Sequence, residues 1–212
     1  MNRIAELTCG DRGRLAGRAP VLFALCPVSP EREDPRGDIY CGDGEAFLSL
    51  CRGLGVACDV AACNRAIEQW PGALTHAVSL HGDLIAGQYM RARREAGHPC
   101  DGVLTHGTTH QPGLDFVWRF YRSVPSSGAL MCLLGGLEQC MGYGLVATNA
   151  RLVGPSHEHY LHPWKDCKRK GLMGNVCVFT PMSGPGLLNA LLGPATPEKI
   201  LAAARLDTGD AA

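Results

Sequence analysis

The sequence predicts an α+β fold, with a single compact domain of mixed strands and helices spanning residues 1–212. Short apolar runs and helix-like segments follow one another without the regular strand-helix alternation expected of a parallel sheet. No internal repeat and no Gly/Ser-rich linker divides the chain, and 212 residues lie within the range that one hydrophobic core serves. Hydrophobic residues make up 46% of the chain and charged residues 19%, a balance typical of a chain that folds.

Residues 1–63 contain two predicted strands and one predicted helix. The apolar run 19–28 has a proline near each end, which favours a short buried strand over a helix. Residues 30–44 are rich in charge, proline and glycine, and are predicted to form an exposed loop. Apolar residues recur at helical spacing over 44–54, and 56–63 is predicted as the second strand.

The most clearly marked helix is predicted over residues 83–97. An acidic residue lies in its first turn, basic residues lie near its end, and Gly97 stands where a C-cap is expected. A terminal helix over 196–207 is predicted because Thr196 suits the N-cap and Pro197 suits the first helical position. The strands predicted after residue 97 are 102–104, 115–124 and 175–180.

The charge balance argues against two classes of partner. Lys and Arg total 20, as do Asp and Glu, so no long-range field attracts nucleic acid or an anionic membrane. The longest apolar runs, 20–30 and 129–137, are shorter than the roughly 20 residues that span a bilayer. We therefore expect no membrane partner and no sequence-specific recognition of nucleic acid.

Cysteine usage predicts a reducing compartment. The chain has eleven cysteines, an odd number, and charged residues interrupt the N-terminal segment where a signal peptide needs an apolar stretch. Disulfides persist mainly in oxidising compartments, and a chain of this length does not need them to fold. We expect an intracellular protein whose thiols are mostly reduced, with most of them packed in the core.

A cluster of histidines and cysteines predicts a metal site. Its members are His157, His159, His162, Cys167 and Cys177. Zinc accepts nitrogen and sulfur ligands of this kind in a tetrahedral set, and on an extended segment His157 and His159 would project to the same side. The predicted site is a structural zinc, with Cys177 as the substitute ligand if one histidine points away. The alternative is a solvated loop with surface histidines and two core thiols.

The segment 101–109, Asp-Gly-Val-Leu-Thr-His-Gly-Thr-Thr, is a second candidate for chemistry. It resembles the Thr-His-Gly-Thr signature of type II asparaginases. That family also has an Asp where this chain has Thr109, and an N-terminal Gly-Gly-Thr loop that this chain lacks. The alternative function is therefore a small hydrolase that uses His106 and Thr108, or a catalytic metal at the 157–177 cluster. The competing interpretation is a loop whose hydroxyls bond its own backbone.

The remaining charged and glycine-rich stretches predict no site. Two basic clusters, 91–94 and 165–170, are interpreted as solvated surface. The glycine-rich stretches fit neither a P-loop nor a dinucleotide-binding fingerprint. A nucleotide site of either type is therefore not expected.

Residues 115–180 contain three segments in which aromatic, glycine, leucine and cysteine residues follow one another in a distinctive order and spacing. Trp118 precedes a Ser/Pro/Gly turn and a Leu-x-Cys-x-x-Gly pattern that ends at Gly135. His-Pro-Trp-Lys-Asp follows at 162–166, and Lys-Gly-Leu-Met-Gly-Asn-Val-Cys-Val-Phe at 170–179. Together these segments resemble the central signature of the adenoviral early-region-four thirty-four-kilodalton protein family.

This resemblance implies a non-enzymatic viral early regulatory adaptor that recruits host proteins to a cullin-type ubiquitin ligase. It implies action in the host cell nucleus and cytoplasm, and contact with elongin through a helix with the pattern Leu-x3-Cys-x3-small or aliphatic residue. Leu54, Cys58 and Ala62 match that pattern and are the partner-binding residues that the resemblance implies. The alternative is that Leu54 and Cys58 belong to the core.

Overall fold

The strands form one parallel sheet in a computed structural model that describes residues 5–7, 19–26, 39–79, 82–107, 111–118, 142–151, 158–169, 171 and 174–207. Eight strands of this part of the chain join the sheet, and every neighbouring pair is parallel. The domain is therefore α/β, and the predicted α+β class is wrong. The strands are β1 (Ala5–Leu7), β2 (Val21–Leu25), β3 (Cys58–Cys63), β4 (His76–Val78), β5 (Leu104–Gly107), β6 (Phe116–Trp118), β7 (Leu145–Thr148) and β8 (Val176–Val178).

The strand order reverses direction beside β2. Across the sheet the order is β1-β6-β5-β4-β3-β2-β7-β8. From β2 the chain moves outward through β3, β4, β5 and β6, and then returns to place β7 on the opposite side of β2. Ala24 of β2 pairs with Ala61 of β3 on one side and with Thr148 of β7 on the other. The boundary between β2 and β7 is thus the topological switch point of a doubly wound sheet.

Helices fill the connections between several of these strands, as parallel neighbours require. A π-helical turn, Ile85–Tyr89, joins the third and fourth helices. No helix in the described ranges is long and apolar enough to cross a membrane. The helices are α1 (Ile39–Gly53), α2 (Ala66–Gln69), α3 (Gly82–Leu84), α4 (Met90–Glu95), α5 (Glu158–Arg169), α6 (Leu187–Leu192) and α7 (Pro197–Asp207).

Several predicted elements are confirmed with shifted ends. The segments 19–28, 56–63 and 175–180 contain β2, β3 and β8, and the predicted terminal helix is α7. The exposed loop predicted over 30–44 is wrong from residue 39, where α1 begins. Its acidic composition was misleading because Asp43 is fully buried and its carboxylate accepts backbone hydrogen bonds from another loop.

Alternation along each strand gives the sheet two different faces. The helical face is apolar and packs against helix side chains; its strand residues include Val21, Phe23, Leu25, Val60, Ala62, Ala77, Leu145, Ala147 and Cys177. By register, the other face, here called the histidine face, includes Leu22, Ala24, Asp59, Ala61, Cys63, His76, Val78, His106, Val146 and Thr148. All of these histidine-face residues except the partly exposed Asp59 are buried.

One residue of the basic cluster predicted as solvated surface lies inside the molecule. Arg93 of α4 is fully buried, and its guanidinium donates to the carbonyl oxygens of Ile67 at 3.1 Å and Pro99 at 2.8 Å. It also donates to the carbonyls of Trp70 and Gly72. Burial lowers the pKa of Arg93 from its ordinary value. The residue ties α4 to the turn between α2 and β4, so the surface prediction is wrong at this position.

Candidate functional site

Polar groups converge where β2 and β7 end, at the carboxyl edge of the switch point. The backbone N–H of Cys26 donates to Oδ1 of Asn149 at 2.8 Å, which links the residues that follow the two strands. The Thr148 hydroxyl donates to the Ala24 carbonyl at 2.8 Å and accepts from the Ala150 N–H at 3.1 Å. The edge is therefore held in one arrangement by hydrogen bonds that run across it.

Two buried donors at this edge have no hydrogen-bond partner among the described residues. They are Nδ2 of Asn149 and Nε of Arg151. Asn149 is only 1% exposed, and its amide orientation is set because Oδ1 accepts the Cys26 N–H. Nδ2 must then be the donor end of the amide. Buried donors are nearly always satisfied in folded proteins, so an unsatisfied pair at a switch point requires an explanation.

The edge continues across β3 and β4 with further polar side chains. Asn64 follows β3 with a positive φ of 52°, a left-handed conformation that Asn tolerates better than most residues. The Ser79 hydroxyl donates to Oδ1 of Asn64 at 2.8 Å. The residues that end four adjacent strands, β7, β2, β3 and β4, thus line one edge of the sheet with amide, hydroxyl and thiol groups.

Asp43 of α1 holds the loop that follows β8. The Asp43 carboxylate accepts from the backbone N–H groups of Met182 at 2.8 Å and Ser183 at 3.3 Å, and also from the Ser183 hydroxyl. These three donors compensate the burial of the carboxylate. Asp43 is therefore explained as a structural tie, and the loop that carries Met182 is fixed in place.

A buried chain of hydrogen bonds crosses the histidine face. The Tyr143 hydroxyl donates to the Asp59 carboxylate at 2.7 Å and lies 2.8 Å from Nε2 of His76. Nδ1 of His76 lies 2.9 Å from Nε2 of His106. Because Tyr143 gives its one proton to Asp59, it accepts from Nε2 of His76; a neutral His76 then accepts from His106. This series of hydrogen bonds runs from His106 to Asp59 and connects β5, β4 and β3.

These hydrogen bonds include one residue of the asparaginase-like segment, His106. His106 is fully buried and also stacks on Phe116, with ring centroids 5.0 Å apart. The hydroxyl of Thr105 donates to the Asp115 carboxylate at 2.8 Å, which closes the loop onto its own neighbouring strand. Thr108 lies outside the described residues. The described part of the segment therefore makes packing and local hydrogen-bond contacts, and the hydrolase alternative stays a prediction.

The predicted zinc ligands are only partly located. His157 lies outside the described residues, and His159, His162 and Cys167 lie on α5, which is a helix where an extended segment was expected. His162 is exposed, while the side chains of His159 and Cys167 are not described. Within the described ranges, no group of three or more His, Cys, Asp or Glu side chains is placed to hold a metal ion. The zinc site stays a prediction.

Cys177, the fifth predicted ligand, occupies a different environment from a zinc thiolate. It lies on β8 in the apolar cluster of the helical face and is 2% exposed. Its thiol donates to the Val146 carbonyl at 3.7 Å, and burial raises the pKa of Cys177 to about 12. Zinc ligation needs the thiolate, so the placement matches the alternative of a core thiol.

The residues matching the elongin-binding pattern do not share a helix. Leu54 follows the end of α1, Cys58 is the first residue of β3, and Ala62 is fully buried within that strand. The expected helical arrangement is wrong because the chain turns at Gly55, where φ is +70°. Leu54 and Cys58 pack against the apolar core, as the alternative stated. Ala62 has no surface to offer a partner in this fold.

The residues that form the switch-point edge were missed by the sequence interpretation. The available signal was a polar residue directly after a short apolar run, as in Leu-Val-Ala-Thr followed by Asn149. In a parallel sheet such residues collect at one edge, but only once the strand order is known. Comparison with protein-family models, with curated proteins and with solved structures finds no match for this chain.

Proposed function

We propose that this chain binds a small molecule with an anionic oxygen group at the carboxyl edge between β2 and β7. The observation that carries the proposal is the unpartnered Nδ2 of Asn149, buried at the switch point with its orientation set by Cys26. Open α/β sheets bind ligands at this position because the connections diverge there and leave a crevice. The proposal is made at the level of ligand chemistry.

The donor set supports an anion. Asn149 offers an amide N–H and Arg151 a guanidinium N–H, and both are buried and unpaired within the described part of the chain. A buried donor without a partner costs about 1–3 kcal/mol, and an oxygen acceptor from a ligand removes that cost. Guanidinium groups match carboxylate and phosphate oxygens in geometry as well as charge.

Carboxylate and phosphate ligands can be distinguished by direct measurement. The probes are succinate, inorganic phosphate and AMP, with uncharged adenosine as the comparison for AMP. Binding to the folded state alone raises stability by about 2.7 kcal/mol at a ligand concentration one hundred times Kd. We expect the melting temperature to rise by several degrees with at least one anionic probe and to stay unchanged with adenosine.

The matched variants are Asn149→Asp and Asn189→Asp. Asn189 resembles Asn149 in that its Oδ1 accepts a backbone N–H, from Gly186 at 2.8 Å, but it lies at the start of α6. Asp keeps that acceptor in both places and replaces the donor at Asn149 by a negative charge. The Asn149→Asp protein should lose the shift, and the Asn189→Asp protein should keep it. An equal shift in both variants, or no shift with any probe in the wild type, would contradict the proposal.

A second candidate function is the viral adaptor that recruits host proteins to a cullin-type ubiquitin ligase. The resemblance within residues 115–180 suggests it, and the loop directly after that region supports it. Met182 is 62% exposed although Asp43 holds its backbone N–H, so an apolar side chain is presented on a fixed loop. Leu187, 36% exposed, is nearby in sequence. Preorganised apolar anchors of this kind are what an adaptor needs when net charge gives no general attraction.

The adaptor proposal predicts a loss of partners on one substitution. Tagged wild-type protein in host cells should co-purify elongin and cullin, in the nucleus and the cytoplasm. Met182→Asp should reduce this recovery at least tenfold, because an anchor residue concentrates binding energy. Leu206→Asp is the control, since Leu206 is 66% exposed on α7 away from that loop in sequence. Equal recovery with both variants, or none with the folded wild type, would remove this candidate.

A further inference from the structure

Two thiols lie side by side at the carboxyl edge of the central strands. Leu25 pairs with Ala62, so the next residues along the two strands, Cys26 and Cys63, are adjacent. Adjacent strands are about 4.8 Å apart, which falls within the Cα separation of disulfides, roughly 4.4–6.8 Å. By the alternation along the two strands, both side chains lie on the histidine face. They therefore have the approach and the common orientation that a disulfide needs.

The surroundings of the pair make the two thiols chemically different. The contact with Cys63 lowers the pKa of Cys26 in spite of its burial, and the contact with Cys26 together with burial raises the pKa of Cys63. The Thr148 oxygen lies 3.5 Å from Sγ of Cys26. Its proton is given to the Ala24 carbonyl while Cys26 is a thiol, and rotation of the hydroxyl can redirect it to a thiolate. The Thr148 contact and the 5% exposure of Cys26, against 0% for Cys63, make Cys26 the attacking sulfur and Cys63 the one that resolves.

We propose that Cys26 and Cys63 form a reversible disulfide when the protein meets a peroxide. The Cys26 thiolate attacks one peroxide oxygen, the O–O bond breaks, and the released hydroxide takes up a proton as water, which leaves a sulfenic acid on Cys26. The Cys63 sulfur then attacks the Cys26 sulfur, the S–O bond breaks, and hydroxide leaves as water with the Cys63 proton. Two thiols and one peroxide molecule give one disulfide and two waters.

A second thiol pair provides an internal comparison. Cys51 of α1 and Cys58 of β3 also interact, which raises the pKa of Cys58 and lowers that of Cys51, while the Cys58 thiol donates to the Asp59 carbonyl at 3.3 Å. This pair joins a helix to a strand on the helical face, where Cys51 belongs to the apolar cluster. Cys26 has Thr148 in addition, and it is 5% exposed, against 1% for Cys51. Oxidation should therefore begin at Cys26.

The experiment uses the full chain, purified with its thiols reduced. The protein is treated with one equivalent of hydrogen peroxide, blocked with N-ethylmaleimide, digested and analysed by mass spectrometry. The expected product is a linked peptide pair containing Cys26 and Cys63, which disappears on treatment with dithiothreitol. Cys63→Ala should replace the link by sulfenic acid on Cys26, detected as its dimedone adduct, and Cys58→Ala should leave the link intact.

Wild-type protein tests the proposal without any substitution, so a variant that fails to fold does not obscure the result. A link between Cys51 and Cys58 without one between Cys26 and Cys63 would overturn it. Complete alkylation of both Cys26 and Cys63 after peroxide treatment would also overturn it. So would oxidation of Cys26 that stops at sulfinic acid while Cys63 stays free.

Discussion

The two faces of the sheet are stabilised by different kinds of contact, although the same strands supply both. On the helical face, Phe23 stacks on Phe47 with ring centroids 4.7 Å apart, and Phe47 meets Phe179 edge-on at 4.9 Å. On the histidine face, buried side chains are joined by hydrogen bonds from His106 through to Asp59. Apolar packing does not depend on the orientation of donors and acceptors. A buried network of hydrogen bonds is favourable only when every polar group in it is paired.

This difference bears on where function resides. The polar residues of the histidine face lead toward the carboxyl edge, where Cys63 and Thr148 are the last residues of their strands. We interpret the helical face as the source of most stability and the histidine face as the surface that positions polar groups for the switch-point edge.

The largest expected effect is the loss of an aromatic ring from the helical face. Phe47→Ala should lower the free energy of unfolding by about 3–5 kcal/mol, because a fully buried ring in contact with two others is replaced by a cavity. Urea denaturation measures the change. Leu206→Ala, at an exposed site on α7, is the control and should stay within about 0.5 kcal/mol of the wild type. A loss below about 1 kcal/mol for Phe47→Ala would mean that this face is not the main apolar core.

A smaller effect is expected when one hydroxyl is removed from the histidine face. Tyr143→Phe keeps the ring but leaves the Asp59 carboxylate and Nε2 of His76 without that partner, so we expect a loss of about 1–3 kcal/mol. Tyr89→Phe is the matched control, a buried tyrosine whose hydroxyl joins no such pair in the described part of the chain. Equal stability losses in the two variants by urea denaturation would show that the hydrogen bonds between His106 and Asp59 add no stability of their own.

Much of the helical face could be predicted from the sequence, and the switch-point edge could not. Apolar runs identify β2 and β3 because a strand buried on both faces is simply a continuous apolar segment. β4 and β7 have three and four residues, too few to show a period, and without them the strand-helix alternation is hidden. Because β7 is not predicted, Asn149 is not recognised as a candidate site residue either. Its importance depends on which strand lies beside β7.

The other wrong or absent predictions depend on contacts between residues that are distant in sequence. Arg93 and Asp43 carry charges that composition assigns to the surface, and each is buried because backbone groups distant in sequence satisfy it. The adjacency of Cys26 and Cys63 depends on strand register, which the sequence between them does not show. Leu54, Cys58 and Ala62 fit a helical spacing, but α1 ends at Gly53, before the pattern begins, and the chain turns at Gly55.

The smallest expected effect tests how closely α1 packs on the helical face, by comparing two glycines of that helix. A Cβ at Gly53 would meet nothing within 4 Å, so Gly53→Ala should raise stability by about 0.5–1 kcal/mol through helix propensity alone. A Cβ at Gly44 would lie 3.0 Å from Cδ2 of Leu25 and 3.0 Å from the Trp70 ring, so Gly44→Ala should lose that gain to crowding. Thermal unfolding of both variants measures the difference. If Gly44→Ala were stabilised as much as Gly53→Ala, the contact between α1 and the sheet would be looser than the helical face requires.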